Sequence, residues 1–223
     1  MPRPDCCPFR PTLTTSHPPR SVRPPSRPPA DRFLEKKLVV RQKLQLVGVT
    51  AMLLASKYEE IYAPEVRDFV YITDKAYTKE QILAMEAQML NNLDFHITVP
   101  TAYVFLNRFL KVCGETDAAA SKVNLLSSYF VERALQEYRS LAYLPSKLAA
   151  AGVNMALRTV RGAGAWDARC VKYCGYRQED LVDCVRDIQA MLDGQAANNL
   201  KAVSRKYALP KFSEVATMPI AML

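Results

Sequence analysis

The 223-residue chain is 49% hydrophobic and 23% charged, ordinary proportions for a globular protein with room for one large domain or two smaller ones. Its net charge of +8 would suit a nucleic-acid binder, yet residues 1–43 hold ten Lys/Arg against three Asp/Glu and the remainder twenty against nineteen. The part that can fold is nearly neutral, so no nucleic-acid partner is expected.

The first 30 residues contain ten of the fifteen prolines and one acidic residue, Asp5. Such a stretch buries too little apolar surface to offset the entropy of ordering it, and is expected to be a disordered Pro/Arg-rich tail. It alternates proline with arginine instead of building an apolar segment, so no secretory leader is expected. Arg10-Pro-Thr-Leu13 has the Arg-x-x-Leu form of a degradation tag, a two-residue pattern that chance supplies often.

From Asp31 onward the chain reads as helices. A short one over 31–37 leads to a central helix at about 41–58. Between Leu44 and Tyr58 that helix carries no charge except Lys57, with apolar or small residues on every face. A helix apolar all round needs neighbours on all sides. The run 44–55 is too short for a bilayer, which takes ~20 residues, and no membrane partner is expected. Ala63-Pro64-Glu65 opens the next helix with proline in its first turn, running to about Tyr71. Thr78-Lys-Glu-Gln81 is a capping box, followed by Ile82, Met85, Met89, Leu90 and Leu93 on one helical face. Val99-Pro100 marks a boundary, because a residue before proline resists helix. Further helices are expected over 101–112, 122–138, 145–160, 166–173 and 178–192, with a polar last one over 195–207.

The second half repeats the first. An offset of 104 lays Lys43-Leu44 on Lys147-Leu148 and Gly48 on Gly152; an offset of 99 lays Tyr77 on Tyr176, Glu80 on Glu179 and Leu93 on Leu192. Glycine within a helix costs about 1 kcal/mol relative to alanine. Its recurrence at paired positions points to close approach of a neighbouring helix in both copies. The copies differ where one of them alone would carry a function: Lys57 answers to Arg161, and Glu86 to Val185. A Lys–Glu pair confined to the first copy suggests a one-sided docking surface, set against the plainer reading of a helix-end lysine and a solvated glutamate.

Of six cysteines, Cys170 and Cys174 could share a helix face, but the only histidines, His17 and His96, lie far off in sequence. No four-ligand zinc set can be assembled, so no metal or cofactor is expected and the thiols read as small core or surface residues in a reducing compartment. No nucleophile triad or phosphate loop can be assembled either, so the chain is not expected to be an enzyme.

The motifs Asp31-Arg-Phe-Leu-Glu-Lys-Lys37, Arg41-Gln-Lys-Leu-Gln-Leu-Val-Gly48, Leu54-Ala-Ser-Lys-Tyr-Glu-Glu60, Ala63-Pro-Glu-Val66 and Tyr71-Ile-Thr-Asp74 resemble the cyclin box of plant-like mitotic B-type cyclins. Pro100-Thr101, Tyr143-Leu-Pro-Ser146 and Gly175-Tyr176 are similar to the family's C-terminal box. The resemblance implies an all-α fold of tandem cyclin boxes, two five-helix repeats, over 31–98 and 99–215. Upstream of Asp31 nothing matches the family's opening helix or the body of its second, so the first box is expected to be truncated and its central helix to lack a wall. The implied function is a regulatory subunit that binds and allosterically activates a cyclin-dependent protein kinase at G2/M, in nucleus and cytoplasm. Lys57, Tyr58, Glu59, Glu60, Glu86, Leu90 and Phe95 would bind the kinase. Arg41, Leu44 and Gln45 would form part of a docking patch for kinase substrates or inhibitors. The alternatives are a truncated, non-functional fragment or a cyclin-fold adaptor of transcription-factor type.

Overall fold

Helices form where the sequence periodicity places them, and no strand occurs among the described residues. The computed structural model describes residues 29–114, 121–194 and 200–221; the proline-rich stretch, with Arg10-Pro-Thr-Leu13, lies outside them. The chain divides into two units at Val99 and Pro100, inside a non-helical stretch.

The first unit contains α1 (Pro29–Lys36), a 3-10 turn (Arg41–Lys43), α2 (Leu44–Glu59), α3 (Val66–Ile72) and α4 (Lys79–Asn92). Both halves of the expected capping box form at the start of α4: Gln81 N–H donates to the Thr78 hydroxyl, and Thr78 N–H donates to the Gln81 side chain. Ile82, Met85, Met89 and Leu93 then point into a core shared with Phe33 of α1 and Phe69 of α3. The last carbonyls of a helix have no intrahelical partners and carry partial negative charge. Two cations of α1 exploit this around the end of α4: Arg32 Nη1 donates to the His96 carbonyl at 2.6 Å, and Lys36 Nζ to that of Asn92 at 2.8 Å.

The second unit is built around α7 (Pro145–Arg161), nearly all of it buried between Leu148 and Leu157. Around it pack α5 (Ala102–Val112), α6 (Lys122–Ala134) and α9 (Gln178–Asp193), with α8 (Ala168–Cys174) against α5. The short α10 (Ala202–Tyr207) is held to α6 by Glu132, whose carboxylate accepts from Lys206 Nζ and the Tyr207 hydroxyl, each at 2.8 Å. Burial first, and then the neighbouring Glu132 charge, raise the Tyr207 phenol above its ordinary pKa and keep it a donor.

Helix pairs α2/α7, α3/α8 and α4/α9 correspond across the repeat. The first unit has no described counterpart of α5, and α1 corresponds only to the end of α6. Among the described residues this is the shortened first box expected from the sequence, and the missing wall of the central helix is there as expected. The central helix α2 is not enclosed on every side: Leu44 and Gly48 are exposed, with Met52 and Ala55 half-buried along the same face. The two glycines consequently differ. A Cβ on Gly152 would lie 3.1 Å from Val131 Cγ2 and 3.4 Å from the Ser127 carbonyl of α6, whereas one on Gly48 would meet nothing described within 4 Å. Close helix approach explains the second glycine and not the first.

Three helix limits also shift. Helix α3 starts at Val66, capped by Glu65 with Asp68 reaching back, so Pro64 precedes it. Helix α6 stops at Ala134 instead of about 138: Gln136 and Glu137 N–H groups tighten onto the carbonyls of Arg133 and Ala134, and Tyr138 begins a 3-10 turn that buries nothing. Of the helix expected over 195–207, α10 is the described part, and 195–199 lie outside the description.

Substitution separates the two glycines. Gly48→Ala removes backbone entropy without a clash and is expected to raise stability by about 0.5–1 kcal/mol. Gly152→Leu forces α6 and α7 apart and is expected to cost about 1–3 kcal/mol or more. Urea unfolding of the two variants reads both signs.

Candidate functional site

Where α2 reaches the surface, its one internal charge meets α4. Lys57 Nζ lies 2.7 Å from Glu86 Oε1, with the glutamate side chain 11% exposed and the lysine 45%. Glu86 sits between Met85 and Met89, both turned into the core. A carboxylate at such a depth is costly unless a cation and a hydrogen bond satisfy it, and Lys57 supplies both. At the corresponding places of the second unit stand Val185, fully part of the core, and Arg161, exposed at the end of α7. The charge pair belongs to the first unit alone among these counterparts.

The residues after Lys57 stay at the surface. Tyr58 is half-exposed, and its hydroxyl lies 2.6 Å from that of Thr98, which ties the end of α2 to the segment following α4. Glu59 and Glu60 are exposed, and Glu60 N–H closes the helix onto the Ser56 carbonyl. Leu90 is half-buried against the core. Phe95 is 65% exposed on a turn in which Asp94 and Phe95 adopt φ of 52° and 57°. Left-handed backbone is unfavourable for residues with a Cβ, of order 1–3 kcal/mol each. The turn is fastened by Phe95 N–H donating to the Leu90 carbonyl at 3.0 Å. An aromatic ring is thus displayed to solvent on a strained but anchored turn.

Lys57, Tyr58, Glu59, Glu60, Glu86, Leu90 and Phe95 therefore lie on the end of α2 and the last turns and exit of α4, two helices that pack together. Arg41, Leu44 and Gln45 are exposed at the opposite end of α2, about 20 Å from Lys57 at 1.5 Å per helical residue. Leu38 and Val40, also exposed, precede that second set in the chain. Sequence reasoning missed Ile61 and Tyr62, 92% and 90% exposed directly after Glu60, and the Thr98 hydroxyl. Two large apolar residues following an acidic pair, outside any periodic segment, were the available signal. Among the described residues no three or more His, Cys, Asp or Glu side chains are arranged to hold a metal ion, and no helix is long and apolar enough to cross a membrane.

Residues 29–98 match the family model for the cyclin N-terminal domain and residues 100–221 that for the cyclin C-terminal domain. Cyclin-B2-1 of Arabidopsis thaliana is 45% identical over 83% of this chain and 42% of its own length. Cyclin-B2-1 of Oryza sativa subsp. japonica is 48% identical over 82% of this chain and 42% of its own length. The G2/mitotic-specific cyclin S13-7 of Glycine max is 44% identical over 86% of this chain and 74% of its own length. The chain thus spans less than half the length of several curated relatives it matches. The X-ray structure of a viral cyclin from herpesvirus saimiri shares the fold, with a TM-score of 0.66, at 18% identity over 74% of this chain and 73% of that one.

The ion pair has its own energetic signature. Lys57→Met leaves the Glu86 carboxylate desolvated without its cation, and is expected to cost about 1–3 kcal/mol. Adding Glu86→Gln removes the stranded charge and is expected to recover part of that loss, and urea titration of the double variant and both single variants measures the coupling.

Proposed function

Because this chain belongs to the cyclin family, we propose that it is a regulatory subunit that binds and allosterically activates a cyclin-dependent protein kinase in cell-cycle control at G2/M. It supplies no reacting group. A kinase is competent only when its own Lys–Glu pair and activation segment are in place, and a partner that presses on the kinase's mobile helix shifts that equilibrium by binding the active arrangement more tightly. The matches to B2-type and G2/mitotic-specific cyclins favour this reading over a transcription adaptor.

The observation that carries it is the composition of the first unit's rim: a partly exposed, ion-paired lysine beside exposed Tyr58, Phe95, Ile61 and Tyr62. Burial of aromatic and aliphatic side chains supplies much of the affinity of an interface, and charges at its edge fix the register. Lys57 keeps two N–H donors for kinase carbonyls or carboxylates while its third is directed at Glu86. Arg41, Leu44 and Gln45, at the far end of α2, form a separate patch for substrates or inhibitors of the bound kinase.

Exchanging the two charges tests the site without dismantling it. In the Lys57→Glu, Glu86→Lys double variant the opposite charges remain neighbours, so the helical circular-dichroism signal is expected to persist. The charge offered to the kinase is inverted, and truncating or misplacing one partner of a desolvated pair costs about 2–5 kcal/mol. Calorimetric titration with a purified mitotic cyclin-dependent kinase is expected to show binding weakened by about 100-fold or more. Unchanged affinity in the folded double variant would remove Lys57 and Glu86 from the interface.

A further inference from the structure

Away from the rim just described, the second unit brings three thiols together. Cys113 closes α5, and Cys170 and Cys174 stand one turn apart on α8, which packs against α5. All three are buried. They form a chain with Cys113 in the middle, its thiol in hydrogen-bonding contact with Cys170 on one side and Cys174 on the other. The Cys170 contact on its own would pull the Cys113 thiol down; the Cys174 contact and burial outweigh it and push Cys113 up to about 12. Contact with Cys113, and then burial, raise Cys170 far above the ordinary thiol range.

Cys174 also has access. It lines a cavity of ≈ 400 Å³ together with Phe105, Arg108, Tyr173 and Tyr176, of which Arg108 and Tyr173 are exposed. Cys184, by contrast, is completely buried on α9, and burial first of all pushes its thiol up to about 12.

We propose that Cys174 is an oxidation site for hydroperoxides and that Cys113 is its resolving partner, the product being a Cys113–Cys174 disulfide. The Cys174 sulfur attacks the outer oxygen of ROOH; the O–O bond breaks, and ROH leaves with the thiol proton, leaving Cys174 sulfenic acid. The Cys113 sulfur then attacks the sulfenic sulfur, the S–O bond breaks, and water leaves with the Cys113 proton. The two thiols together lose two electrons and two protons, and ROOH becomes ROH and water. The bond joins the end of α5 to the end of α8, and a thiol reductant reverses it.

Trypsin distinguishes the three thiols, because cleavage after Lys111, Lys122, Arg169, Lys172 and Arg177 places Cys113, Cys170 and Cys174 on different peptides. The full chain is treated with stoichiometric hydrogen peroxide, alkylated, digested without reductant and analysed by mass spectrometry. A cross-linked pair of peptides 112–122 and 173–177, two hydrogens lighter than their sum and absent after dithiothreitol, is expected. In Cys113→Ser the cross-link disappears and dimedone traps a sulfenic acid on Cys174; in Cys184→Ser the cross-link forms as before. Helical circular dichroism confirms folding of both variants, and the unsubstituted chain gives the primary answer without them. Oxidation confined to Cys6 and Cys7, a bond through Cys170, or thiols that react only in urea would each overturn the assignment.

Discussion

A carboxylate with about a tenth of its side chain exposed persists at the edge of a helical core only while a cation rests on it. In the first unit Glu86 is that carboxylate and Lys57 that cation, and the pair decides how two helices must meet. Helix α2 has to end one turn beyond the core so that Lys57 emerges at the rim, and α4 has to present Glu86 between Met85 and Met89. Once both conditions hold, the two helix exits are carried out to the surface together: Tyr58 to Tyr62 at and beyond the end of α2, and Phe95, His96 and Thr98 after α4. The Tyr58–Thr98 hydroxyl contact then joins the two exits.

The two units show what one helical plan does under different demands. In the second, Val185 takes the place of Glu86, Gly152 admits α6 against α7, and the central helix is sealed. In the first, the equivalent stripe of α2 leaves Leu44 and Gly48 exposed and Met52 half-buried, and the charge pair sits at the helix's far end. The left-handed turn at Asp94 and Phe95 adds a local strain that core packing does not require, since Phe95 is mostly in solvent. Strain coupled to an exposed aromatic ring is more readily understood as presentation of that ring to a partner than as a device for stability.

Much of this was legible in the residues. The capping box at Thr78–Gln81 and the periodic Ile82, Met85, Met89, Leu93 face are local signals that tertiary packing had no reason to override, and α4 follows them. The Lys57–Glu86 relation was readable because the repeat supplied its own control at Arg161 and Val185. Other features depend on neighbours rather than on the segment itself. The missing wall of α2 was legible from the shortened first box, but composition does not show which face it leaves open, so the differing roles of Gly48 and Gly152 escaped. The end of α6 escaped because Leu135 and Tyr138 extend the apolar rhythm past the point where the backbone tightens. The chain of thiols through Cys113 joins residues more than fifty positions apart, and only the packing of α5 on α8 reveals it.

The central claim is that the first unit's rim, and not the second unit, receives the kinase. Hydrogen–deuterium exchange of the chain with and without an excess of mitotic cyclin-dependent kinase addresses this directly. Slowed exchange is expected in peptides covering 57–62 and 86–98, with exchange over 166–179 of the second unit unchanged. Protection confined to the second unit, or no protection anywhere at saturating kinase, would contradict the account.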